Sequence, residues 1–189
     1  MKYVPLLLLL FITINVDAQH EVHPSKDKAV VYFVRSKSMG TLINFTYFDG
    51  DKVIGKFNGR NYFRYECEPG KHLFWARSEN KSFVEAELEA NKIYMLEAIP
   101  RMGGVKAAVK LVPVDIGKHK MKNIKKLFEN KEPLIFEMDE IVNTQSEMSE
   151  VIARAMEKYD KDKDAGKSIP KLDSQMYITR EDLESVDSN

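Results

Sequence analysis

The chain has 189 residues, 43% hydrophobic and 31% charged, with 29 basic against 29 acidic residues and no net charge. Such a composition belongs to folded globular domains and excludes a disordered or collagen-like chain. Neutrality gives no reason to expect polyanion binding by the whole protein, and a single cysteine, Cys67, excludes an internal disulfide.

Met1 and Lys2 make a short positive start, residues 6–12 are an apolar core, and Val16-Asp17-Ala18 places compact residues where a signal peptidase reads. The apolar stretch is about ten residues, half of the roughly twenty needed to span a bilayer. A signal peptide over residues 1–18, cleaved after Ala18, is therefore expected, with export to the periplasm or beyond the cell. Residues 19–28, with His20 and His23 flanking Glu21, read as a flexible lead-in.

A β block over residues 29–116 follows. Residues 30–34, 42–48, 53–57, 62–67, 72–76, 83–88, 93–98 and 106–112 are rich in β-branched and aromatic side chains. Asp49-Gly50, Asn58-Gly59, Pro69-Gly70, Glu79-Asn80, Ala90-Asn91 and Gly103-Gly104 punctuate them. About seven or eight short, evenly spaced strands predict an antiparallel β-sandwich. Asp49-Gly50 marks a hairpin, because both residues tolerate the positive φ of a tight turn. Cys67 alternates with Phe63 and Tyr65 on one strand face and reads as a buried, inert thiol. Residues 72–76 are apolar on both faces, so Leu73 and Trp75 are either covered by another element or exposed as a binding surface.

The periodicity then changes to a helical one. Met121, Ile124, Leu127 and Phe128 fall three and four apart, the spacing of one helix face. That helix is the nearest candidate cover for Trp75. Lys118, Lys120, Lys122, Lys125 and Lys126 spread over its remaining surface and suit an anionic surface, or the acidic segment 132–164 of the same chain. Residues 134–142 fit neither strand nor helix clearly. Residues 146–159 form a second amphipathic pattern, so the helical extension spans 117–159. The remainder, 160–189, reads as a polar tail with a short terminal helix opened by a capping box at Thr179 to Asp182.

Three stretches carry a resemblance: residues 29–35, Glu68-Pro69-Gly70-Lys71-His72 with Phe74-Trp75-Ala76, and residues 109–114. There the chain resembles the bacterial domain of unknown function 2846. The Pro-Gly-x-His turn is also similar to PEGA modules, which share a transthyretin-like sandwich. The resemblance spans residues 28–118 and implies a fold and an exported location. It implies no active site.

Asp160, Asp162 and Asp164 occupy positions one, three and five after a predicted helix, and Asp182 lies where an EF-hand loop would close. Calcium requires six to eight oxygens in one compact loop. The halves here are separated by residues 165–177, so any calcium loop would be an interrupted one. His72 and His119 have no serine, cysteine or carboxylate at a spacing that spells a nucleophile–base pair. The sequence therefore predicts an exported, non-enzymatic β-sandwich module that binds a protein or envelope component. The alternatives are a small secreted hydrolase whose site assembles only in the fold, and a calcium-binding tail. No other cofactor is expected, and no nucleic-acid partner.

Overall fold

A computed structural model of the protein describes residues 23–103 and 106–184. The expected signal peptide and His20 lie outside these residues. Eight strands follow one another: β1 (Ala29–Arg35), β2 (Phe45–Asp49), β3 (Lys52–Phe57), β4 (Asn61–Cys67), β5 (Gly70–Arg77), β6 (Lys81–Leu88), β7 (Ile93–Gly103) and β8 (Lys106–Pro113). Then come α1 (Lys122–Asn130), α2 (Met138–Glu147), α3 (Ser149–Asp164), β9 (Lys171–Leu172) and α4 (Arg180–Glu184). The strands build two sheets, ordered β4-β1-β7-β8 and β3-β2-β5-β6-β9. The fold is mainly β, as expected, but the sheets are mixed rather than all antiparallel: β1 runs parallel to β7, and β6 parallel to β9.

The inner core lies between the sheets. Val31 and Phe33 of β1, Tyr94 and Leu96 of β7 and Leu111 of β8 meet Phe45, Tyr47, Phe74 and Val84 of the opposite sheet. Phe33 is stacked on Phe63 at 4.9 Å and meets Phe74 edge-on at 5.4 Å, the offset and T-shaped arrangements that ring quadrupoles favour.

Every residue of β1 is buried, so the strand needs cover on both faces. Val30, Tyr32 and Val34 point outward into a second core closed by Ile124 and Leu127 of α1, with Phe128 stacked on Tyr62 at 4.0 Å. A third core lies outside the other sheet, where Ile152 and Ala155 of α3 cover Phe48, Trp75 and Phe83. The cover over Trp75 is thus α3. The helix carrying Ile124, expected in that place, covers the opposite sheet.

Three boundaries move, one of them the end of β7, which runs to Gly103, past the predicted 98. Strand β2 begins at Phe45, because the preceding segment folds back around Arg35, whose guanidinium donates to the carbonyls of Met39, Gly40 and Ile43. Helix α3 runs to Asp164, beyond the predicted limit at 159. The tail is no separate region either. Pro170 O accepts from Glu85 N at 3.0 Å as β9 joins β6, and Ile178 N donates to Ile93 O at 2.8 Å. The capping box is present, with Thr179 N donating to Asp182 Oδ2 at 2.8 Å.

Trp75 is fully buried, stacked on Phe48 at 3.6 Å, and its indole N–H donates to Gly50 O at 2.8 Å. Large-to-small changes at such sites remove both buried area and a packed neighbour set. Trp75→Ala is expected to lower stability by about 3–5 kcal/mol, read as a fall in chemical-denaturation midpoint. A blue-shifted parent tryptophan emission should accompany it.

Candidate functional site

Three groupings bring chemistry-bearing side chains together. The first is centred on His72. The turn after β4 carries the chain from one sheet to the other, and Pro69 with Gly70 (φ 117°) makes the crossing. His72, two residues on, donates from Nε2 to Glu68 O at 2.8 Å and from Nδ1 to Asp49 Oδ2 at 2.9 Å. Tyr65 OH also donates to Asp49 Oδ2, at 3.1 Å. Both ring nitrogens are therefore donors, which only the imidazolium can supply. Its pKa is raised from the ordinary 6.5 chiefly by the hydrogen bond to Asp49, against the opposing effect of burial.

A recess of about 280 Å³ beside it gathers Lys28, Asp49, Tyr65, Cys67, Glu68 and His72. A histidine, carboxylates and a thiol share this space, which sequence spacing alone concealed. They do not form a nucleophile–base pair. Burial, followed by the charges of Asp49, Glu68 and Glu66, pushes the Cys67 thiol up to about 12. His72 has no free nitrogen to take its proton. Cys67 is buried, as read from the sequence, and forms no disulfide among the described residues.

The second grouping is Ser36, Glu97 and His119. Glu97 of β7 is only 3% exposed, an unusual place for a carboxylate. It accepts from His119 Nε2 at 2.7 Å and from Ser36 Oγ. Burial pushes its pKa upward, but the bonds from His119 and Ser36 and the His119 charge outweigh burial, and the net shift is downward. His119 Nδ1 has no hydrogen-bond partner among the described residues. His119 lines an open cleft of about 330 Å³ with Asp115, Lys118 and Lys171. Asp115 is already engaged by Lys118 at 2.8 Å.

The third is a cleft of about 480 Å³ over β5 and β6, lined by Lys71, Glu85, Tyr159, Lys163 and Lys171. Tyr159 OH donates to Glu85 at 2.7 Å, and Lys163 pairs with the same carboxylate at 3.1 Å, so these groups fasten α3 to β6.

Of the residues offered from sequence as a binding face or a calcium loop, Leu73 borders the third cleft and the others lie outside these groupings. Trp75 is in the third core, and Leu73 is half-buried against it, so neither forms an open aromatic face. Asp160, Asp162 and Asp164 belong to the last turn of α3, where alternate residues diverge around the axis instead of converging as in a loop. Asp162 is held by Lys158 and Lys167, and Asp182 is spent on capping α4. Among the described residues, no three His, Cys, Asp or Glu side chains converge as a metal site. Of the lysines, Lys118 pairs with Asp115, and Lys120, Lys122 and Lys126 are exposed. Two acids of α3 pair within their own helix, Glu150 with Arg154 and Glu157 with Lys161.

Sequence spacing missed the carboxylate partners because His72 and Asp49 are 23 residues apart, and His119 and Glu97 are 22 apart. A signal existed for Glu97, a lone acid in the otherwise apolar run Ile93 to Ala98. No protein-family model matches the chain, and no curated protein matches it.

The two histidine clamps should act at opposite ends of the pH scale. The raised pKa of His72 means that its stabilisation is complete below pH 6.5 and is lost as pH rises through the folded value. Removing the clamp as His72→Gln should cost about 1.5–3 kcal/mol at pH 6, the range for hydrogen bonds to charged groups, and flatten the melting curve against pH on the alkaline side. For Glu97 the sign reverses: stability is present above its ordinary 4.5 and is lost as pH falls through the lowered folded value. Melting temperatures of Glu97→Gln and the parent should therefore converge in acid and diverge at neutrality.

Proposed function

We propose that the protein is an exported, non-enzymatic β-sandwich module of the transthyretin-like kind, which works by binding a protein or envelope component. The observation that carries this reading is the division of labour among its side chains. Groups capable of chemistry at His72 are consumed in holding a crossing between sheets, whereas large apolar groups are left to solvent on the helical side. Ile135, Met138 and Val142, at three- and four-residue spacing, are 80%, 74% and 57% exposed. Met138 and Val142 are one turn apart on α2, and neighbouring exposed apolar residues on a folded surface mark a contact site more often than scattered ones do. The Pro69-Gly70-x-His72 turn and the two-sheet architecture support the module type, and the apolar amino-terminal stretch supports export.

The test uses cells making the full chain. Fractionation should find a product beginning at Gln19 outside the cytoplasm; a full-length cytoplasmic protein overturns export. Photo-crosslinking from position 142 should give discrete adducts that vanish in I135S/M138S, with the melting temperature unchanged. Adducts that persist in that variant overturn the surface assignment.

A further inference from the structure

The segment that follows β8 and the one that enters β9 stand apart, and the space between them is an open cleft of about 330 Å³. One wall carries Pro113, Asp115, Lys118 and His119, and the other Pro170, Lys171 and Met176. The first wall continues from the sheet β4-β1-β7-β8, and the second runs through β9 at the edge of the other sheet. The cleft therefore spans both layers of the sandwich.

Most charges here already have partners. Asp115 accepts from Lys118 Nζ at 2.8 Å and from Gly117 N at 3.1 Å. The charge of His119 is matched by the buried carboxylate of Glu97, which accepts from His119 Nε2 at 2.7 Å. Two groups are left over. His119 Nδ1 has no partner among the described residues, and it is not one of the buried unpartnered atoms, so this side of the ring meets solvent. Lys171 is exposed. Register sets it beside Glu85, whose carboxylate feels its charge but is bonded by Tyr159 at 2.7 Å and Lys163 at 3.1 Å. Lys171 itself forms no ion pair among the described residues.

We infer that this cleft binds a small organic acid, its carboxylate held by His119 Nδ1 and Lys171 and its aliphatic body lying against Pro113, Pro170 and Met176. With Nε2–H bonded to Glu97, the charged ring offers its Nδ1–H as a second donor. Glu97 fixes the ring plane, so that donor is held in place before any ligand arrives, which lowers the ordering cost of binding. Two cationic donors suit the two oxygens of a carboxylate. Only the charge of Lys171 lacks an ion-pair partner in the cleft, which a monoanion neutralises and a phosphate dianion would exceed. The apolar wall is also fixed, because Met176 packs on the inner core. A volume of this size lies at the small end of the range for ligand pockets, roughly 300–1,000 Å³. The inference goes beyond the binding reading above and stands apart from it, since neither export nor the partner of Met138 and Val142 bears on this cleft.

The probe is hexanoate, titrated into the full chain at about pH 6, where a carboxylic acid is ionised, and followed by NMR through the carbon-bound ring protons of His119. Saturable shifts are expected with a Kd on the order of 1–10 mM, the strength that suits so small a ligand. Acetate, which lacks most of the apolar body, should bind about tenfold more weakly. Methyl hexanoate, which lacks the charge, should give no saturable shift. His119→Gln also disturbs Glu97, so the deciding variant is Lys171→Gln, which removes only an exposed ammonium. That variant should melt with the parent and bind hexanoate about tenfold more weakly. No saturable shift with hexanoate, equal affinity for its methyl ester, or parent affinity in Lys171→Gln overturns the inference. Tighter binding of inorganic phosphate than of hexanoate overturns the assignment to a carboxylate.

Discussion

The structure depends on one constraint: the central strands are apolar on both faces and cannot face water on either. Strand β1 is buried along its whole length, and β5 sends Phe74 inward and Trp75 outward, both fully buried. A two-layer sandwich satisfies half of that demand. The other half requires a helix outside each sheet, and α1 and α3 supply it, so three cores are stacked through the molecule. The helices are therefore obligatory parts of the domain. The carboxy-terminal segment is equally bound in, adding β9 to one sheet and a bridge from Ile178 to the other.

The same constraint explains where polar chemistry went. An interior packed with aromatic rings tolerates charge only when hydrogen bonds replace water. Arg35 is fully buried with its guanidinium over the Phe45 ring at 4.1 Å, and its hydrogen-bond partners are the carbonyls of residues 39, 40 and 43. Glu97 is held by His119 and Ser36, and Asp49 by His72 and Tyr65. Each of these groups joins segments that strand pairing alone does not fasten: a loop before β2, the segment between β8 and α1, and the crossing between sheets. Their placement at junctions accounts for their burial.

Strand positions were legible in the sequence because alternation and turn residues report local geometry. Gly50 (φ 56°) and Gly70 (φ 117°) occupy the positions their sequence context indicated. Pairing was not legible. Nothing local to β1 says that its neighbours are β4 and β7, the latter in parallel, and the carboxylate partners of His72 and His119 follow from that arrangement. Helix extent failed for a related reason. The run from Asp160 to Asp164 looks like a loop by composition, yet i,i+4 pairs such as Lys158 with Asp162 and Glu157 with Lys161 support a helix there. Charge patterning carried the correct signal, and the alternating acids obscured it.

The ambiguity of residues 134–142 has a structural meaning. A stretch that fits neither strand nor helix is here both in succession: one bridge at Leu134, then α2 from Met138. Pro133 precedes the bridge, and a proline cannot donate to a ladder, so the strand cannot extend backward by regular pairing. Gln145 of α2 then replaces the missing continuation on the β3 side, accepting from Val53 N at 2.7 Å and donating to Asp51 O at 2.9 Å. Side-chain amides thus bond backbone at both open sides of the sandwich, Asn80 at one and Gln145 at the other. At the second, the amide covers the start of β3 and leaves Gly55 to be covered by the ring of Phe136. This edge is thus closed by packing and hydrogen bonds together, the ring of Phe136 over Gly55 and the bonds that tie Leu134 and Lys131 to β4.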